Sequence, residues 1–89
     1  MQATQIPKHS PNVTHQDVGD QAILVSLITG IYYDLNDTGA MFWNLMDGQR
    51  TIAQCAAAIA EEYDVEADVV EADLLELATS FEKEGLILV

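Results

Sequence analysis

From Val13 to Leu35 the apolar residues recur with a period near two, and from Asn36 onward the period lengthens to about 3.6. The first regime predicts three short strands, Val13–Val18, Ala22–Leu27 and Ile31–Leu35. Gly19-Asp20 is a turn signal, and Ile28-Thr29-Gly30 is a tight connection that joins the last two strands as a hairpin. The second regime predicts three helices. Ala40–Met46 is short; Asp37 or Thr38 supplies a side-chain oxygen for a free backbone N–H at its start, and Asp47-Gly48 stops it. Thr51-Ile52-Ala53-Gln54 has the spacing of a capping box. It opens a helix whose apolar face is Ile52, Cys55, Ala56, Ile59 and Tyr63. The third helix runs from near Glu66 to Glu84 on the stripe Val70, Leu74, Leu77 and Phe81. Gly85 stands where a left-handed residue commonly ends a helix. Leu86–Val89 is an apolar tail able to return to the core.

A small sheet must bury one face, and three amphipathic helices must bury their stripes. Packing the helices on one side of the sheet does both. The expected fold is therefore α+β and winged-helix-like: a small antiparallel three-stranded sheet followed by a three-helix bundle. Residues 1–12 hold both prolines and mostly polar neighbours. They read as a flexible N-terminal arm, which leaves 13–89 as a single domain.

At 89 residues the chain has room for one modest core and little for a deep catalytic cleft. Its 49% apolar content is that of a folded protein. Charge changes the picture more. Only Lys8, Arg50 and Lys83 oppose 15 carboxylates, for a net charge of −12. Such a surface repels phosphate backbones and anionic lipid heads, so partners should be neutral or basic. The two C-terminal helices carry Glu61, Glu62, Asp64, Glu66, Asp68, Glu71, Asp73, Glu76, Glu82 and Glu84 against Lys83 alone. That excludes the nucleic-acid reading a helix-turn-helix shape invites. The start of the chain, M-Q-A-T-Q-I-P-K-H-S-P-N, lacks the apolar stretch of a signal peptide. No apolar run approaches the ~20 residues that span a membrane. A soluble protein of the reducing cytoplasm is expected.

Candidate chemistry is sparse. Cys55, the single cysteine, lies on the apolar stripe of the second helix, where nothing lowers its pKa, and reads as a core residue. His9 and His15 lie in or near the arm with no polar cluster around them. One thiol and two imidazoles do not make a zinc site without another ligand. Asp34-Leu35-Asn36-Asp37-Thr38-Gly39 imitates the opening of a calcium loop, but Leu45 stands where that loop needs a glutamate. Asp64, Glu66 and Asp68 are acidic residues at a helix start, which the helix dipole favours. No catalytic residue, metal or cofactor is expected. A strand Ile31–Leu35 at the sheet edge has different potential: Ile31-Tyr32-Tyr33 contains no Lys or Pro to block pairing, so its backbone groups can accept another strand.

These residues also carry a resemblance. The ordered set Y-Y-D-L-N-D-T-G-A-x-x-W-x-L-M-D-G, T-I-A-Q, E-E-Y-D-V, A-D-L-L-E-L and E-G-L-I, from about Asp20 to Leu88, resembles the PqqD-like family of peptide chaperones. These are also called precursor-peptide recognition elements, and the Tyr-Tyr and Thr-Gly-Ala-x-x-Trp segments are most similar to stand-alone elements of lasso-peptide biosynthesis. The resemblance implies a non-catalytic domain that binds the leader of a ribosomally made precursor. The leader would add as an antiparallel strand along Ile31, Tyr32, Tyr33, Asp34 and Leu35. Val69, Val70, Asp73, Leu74 and Leu77 of the third helix would face it across a groove. A separate cysteine-protease-type leader peptidase and an ATP-dependent cyclase would be further partners. Two positions depart from the family pattern: Cys55 replaces a branched aliphatic, and Glu66 replaces an Asp cap with no Pro after it. The competing expectation is an acidic structural adaptor for an enzyme, without a peptide groove of its own.

Overall fold

The computed structural model describes residues 1–89. Three antiparallel strands, β2 (Val13–Val18), β3 (Gln21–Ser26) and β4 (Tyr32–Leu35), precede three helices, α1 (Asp37–Leu45), α2 (Ile52–Tyr63) and α3 (Ala67–Lys83). A two-residue strand at each end, β1 (Lys8–His9) and β5 (Ile87–Leu88), forms a separate antiparallel pair. The main sheet has the order β2-β3-β4, so β3 is central and β4 is an edge. The α+β architecture expected from the hydrophobic pattern is present, with the terminal β pair added to it.

Local chemistry explains most boundaries. The side-chain oxygen of Asn36 accepts the Gly39 N–H at 2.9 Å and caps α1, displacing the start expected at Asp37 or Thr38 by one residue. Gly39 permits this closeness, because a Cβ there would lie 3.3 Å from Asn36 Oδ1 and 3.4 Å from Leu35 Cβ. Thr51 and Gln54 form the reciprocal capping box at the start of α2. Its end is Asp64 rather than a glycine, held in the left-handed region at φ 53. Gly85, at φ 74, turns the chain after α3, and Leu86 N–H closes that turn on Phe81 O at 2.8 Å.

The core lies between the inner sheet face (Ala22, Leu24, Leu35) and the helices, with Phe42 and Trp43 of α1 and Phe81 of α3 at its centre. Trp43 and Phe81 meet edge-to-face, their ring centroids 5.8 Å apart. The Trp43 Nε1 has no hydrogen-bond partner. An unpaired buried donor costs about 1–3 kcal/mol, whereas burying an indole yields roughly 4–6 kcal/mol, so packing prevails. Cys55 is buried, as its position on the stripe implies. Tyr63, expected on that stripe, instead stands exposed at the end of α2. On α3 the buried stripe is Val70, Leu74, Ala78 and Phe81; Leu77 is only half-buried and lies off it.

Residues 1–12, expected as an arm free of the domain, are packed against it. Pro7 is fully buried and Ser10 is buried. Ser10 N–H donates to Leu86 O at 3.0 Å, extending the β1–β5 pair. The carbonyls of Gln5 and Ala3 accept the N–H groups of Ile52 and Ala53 at 3.1 and 3.0 Å, satisfying donors that a helix start leaves free. The His9 ring stacks on Trp43 at 3.8 Å, and its Nε2–H donates to the Trp43 carbonyl at 2.7 Å. The apolar tail at Leu86 and Ile87 and the aromatic floor at Trp43 supply partners that composition alone does not reveal.

Candidate functional site

Strand β4 has a covered side and an open one. It pairs with β3 through Ala22↔Leu35, Ile23↔Asp34, Leu24↔Tyr33 and Val25↔Tyr32. Ser26 N–H donates to Ile31 O at 3.1 Å, which sets the phase of the ladder. Backbone groups in an antiparallel pair alternate between the partner and the opposite edge. Tyr33 and Leu35 therefore direct theirs to β3, as Ile31 does its carbonyl while its N–H donates to Thr29 Oγ1 at 3.2 Å, and the N–H and C=O groups of Tyr32 and Asp34 face away from β3. The side chains alternate on the other axis. Leu35 is buried and Tyr33 half-buried on the inner face, whereas Tyr32, 73% exposed, and Asp34 stand on the outer face.

Where this edge ends, an open groove of about 430 Å³ begins at Asn36, with no β4 residue in its lining. The α1 corner contributes Asn36, Thr38 and Gly39; α3 contributes Asp73, Leu74, Glu76, Leu77 and Ser80. Farther along, the Tyr33 hydroxyl donates to Glu84 Oε2 at 3.2 Å. Burial and then the Glu84 carboxylate push the Tyr33 phenol above its ordinary pKa, so it stays protonated and keeps donating. A second cleft of about 450 Å³ opens at the β2–β3 turn, rimmed by Asp17, Asp20, Asp37 and Glu62. It sits at the turn end of the β2–β3 pair, with Asp17 from β2 and Gln21 from β3 in its lining.

The residues singled out in the sequence separate on this frame. Tyr32, Tyr33, Asp34 and Leu35 form β4, and Ile31 lies just before it, half-exposed. Asp73, Leu74 and Leu77 line the groove. Leu74 is only 1% exposed, so it is floor and core at once. Val70 belongs to the core, and Val69 is exposed outside the groove lining. Glu76 and Ser80 were missed, although they follow Asp73 by three and seven residues, the spacing of one helical face. Asn36, Thr38 and Gly39 were legible as a helix start but not as a groove wall.

Elsewhere, the chemistry stays sparse. Burial pushes the Cys55 thiol up, away from the reactive thiolate. No three His, Cys, Asp or Glu residues converge on a point that could hold a metal ion. Of the oxygens resembling a calcium loop, that of Asn36 is in use as the cap of α1, and the neighbouring Asp37 Oδ1 accepts the Thr38 N–H at 3.0 Å. Asp64 ends α2 instead of starting α3. No helix is long and apolar enough to cross a membrane.

A small α+β domain whose edge strand β4 ends at a helix-walled groove belongs to the class of folds that can receive an extended chain. Residues 21–87 match the sequence profile of the family described as Coenzyme PQQ synthesis protein D (PqqD), and the chain belongs to that family. Relatives called PqqA binding protein share 29% identity in Xanthomonas campestris pv. campestris and 30% in Xanthomonas euvesicatoria pv. vesicatoria. Each alignment spans 73 residues, 82% of this chain and 77% of the relative. Among solved structures, TbiB1 in complex with the TbiA(beta) leader peptide superposes with a TM-score of 0.83 at 29% identity. That match covers 90% of this chain and 93% of TbiB1. A lasso peptide synthetase B1 complexed with its leader peptide gives 0.83 at 26% identity, over 96% of this chain and 100% of that one. The PqqD truncation of Methylobacterium extorquens PqqCD shares the fold, with a TM-score of 0.84 at 20% identity over 99% of this chain and 94% of that one.

Proposed function

We propose that this protein is a non-catalytic recognition domain that binds the leader segment of a ribosomally synthesised precursor peptide, of the lasso type. The observation that carries this is the unpaired edge of β4, which ends at the α1–α3 groove. The leader adds antiparallel to β4, pairing with the outward backbone groups of Tyr32 and Asp34. Leu74 and Leu77 receive its apolar side chains, and Tyr33 flanks it farther along, where its hydroxyl meets Glu84. Backbone bonds contribute roughly 0.5–1.5 kcal/mol each, and each fully buried apolar side chain roughly 1.5–3 kcal/mol. Ordering a flexible leader costs about 2–5 kcal/mol, which leaves an affinity on the order of micromolar to nanomolar. An adaptor without a peptide groove would have no use for this edge.

Recognition then serves delivery to a separate leader peptidase of the cysteine-protease type, with an ATP-dependent cyclase acting afterwards. The apolar tip of the β3–β4 hairpin supports a second protein partner. Leu27 and Ile28 are 61% and 76% exposed there, next to Tyr32, on a surface that nothing in the chain covers. The test is a titration of a fluorescent synthetic lasso-precursor leader peptide against wild type, Tyr33→Ala and Leu77→Ala. Binding by the wild type and weakening in both variants are expected, with circular dichroism confirming the fold. Unchanged affinity in both would remove the groove assignment.

A further inference from the structure

We propose that the strand taken up beside β4 carries a lysine or arginine among its apolar side chains, and that Asp73 and Glu76 select it. This rests on the peptide-groove reading above and adds the chemistry of the ligand. Both carboxylates line the groove from α3, beside Leu74 and Leu77. Three residues apart on a helix, they are separated by about 4.5 Å along its axis, within reach of one cationic head.

Neither carboxylate has a cation of its own. The ion pair in this molecule is Arg50 with Asp47, at 3.0 Å. Lys8 lies on β1 and Lys83 in the last turn of α3, and neither lines the groove. The opposite wall is the N-terminus of α1, which would ordinarily attract an anion. Its first donors are occupied, however, by Asn36 and Asp37 through the N–H groups of Gly39 and Thr38. An incoming carboxylate meets two like charges, and on that wall only the neutral donors of the Asn36 amide and the Thr38 hydroxyl. An incoming ammonium or guanidinium meets two unpaired carboxylates and the hydroxyl-bearing side chains of Thr38 and Ser80. A strand advances about 3.4 Å per residue, so the same-face neighbour two residues on lies about 7 Å along. Asp73 and Leu77 lie about 6 Å apart along the helix axis, so on a strand running along α3 a basic side chain at the Asp73 end of the pair leaves the next same-face position near Leu77. The acidic character of the groove is thereby assigned to ligand choice, separately from the net charge of the molecule.

The experiment pans a phage-displayed library of short random peptides against three proteins. These are the wild type, Asp73→Asn/Glu76→Gln, and Glu61→Gln/Glu62→Gln, which removes equal charge from exposed α2 positions. Circular dichroism verifies each fold. Wild type and the α2 control are expected to enrich peptides with Lys or Arg at a fixed spacing from an apolar residue. The groove variant should lose that preference and bind the selected peptide about three- to tenfold more weakly. The difference should shrink at high salt. A wild-type selection without basic residues, or an equal loss in the α2 control, overturns the inference while leaving the groove in place. Failure of the wild type to capture any peptide overturns the groove reading itself, and this inference with it.

Discussion

His9 comes from the most polar part of the chain, yet its ring lies flat on Trp43 and its Nε2–H is committed to a carbonyl. Burial lowers its pKa from the ordinary 6.5; the bond to Trp43 O opposes this, and the nearby His15 adds to the lowering. The contribution of this contact to stability is complete above pH 6.5 and is lost as pH falls through the lower folded value. Thermal melts of wild type and His9→Gln between pH 8 and 5 should therefore converge on acidification, wild type losing the larger share. Parallel pH profiles would mean that His9 does not titrate in this contact. Side-chain fates at this scale were only partly legible. Cys55 and Leu74 went where their stripes implied, because a helical period specifies a face. Tyr63 and Leu77 did not, because each sits at the margin of its stripe and only the neighbouring element decides whether that margin is covered.

Strand β4 does two jobs with one backbone. Tyr33 and Leu35 hold the ladder to β3, and Tyr32 and Asp34 leave an open edge. Asp34→Pro removes an outward N–H and leaves the β3 ladder intact, since Pro is tolerated on a strand edge. Leader affinity is expected to fall at least about tenfold, with a small change in melting temperature. Tyr33→Pro removes a ladder donor instead, and should lower the melting temperature as well as the affinity. Equal effects of the two substitutions on stability would contradict the assigned phase. The strand itself was readable from Ile31-Tyr32-Tyr33-Asp34-Leu35. That β4 is an edge was suggested by chain order, but the groove at its end was not, because α3 follows β4 by more than thirty residues. Helix starts were more legible: the Thr51–Gln54 box is local, and its hydrogen bonds lie three residues apart.

For the whole molecule, the terminal segments matter more than their composition indicates. Deleting residues 1–10 removes the buried Pro7 and Ser10, the β1–β5 pair, the His9 stack and two carbonyls that cap α2. A loss of roughly 2–3 kcal/mol, read as a drop in melting temperature of about 8–20 °C, is expected from calorimetry. Binding at the distant β4 edge should persist at lower temperature. An unchanged melting point would mean that the segment does not contribute to stability in solution. The sequence by itself determined the strand and helix pattern, the α+β class and the burial of Cys55. Each follows from local periodicity, which needs no knowledge of distant contacts. Tertiary structure alone decided that the first twelve residues pack, that Asp73 and Glu76 share a groove with the α1 cap, and that Tyr33 reaches Glu84. Those are contacts between residues far apart in the chain, and hydrophobic burial selects them only when all the elements compete for one core.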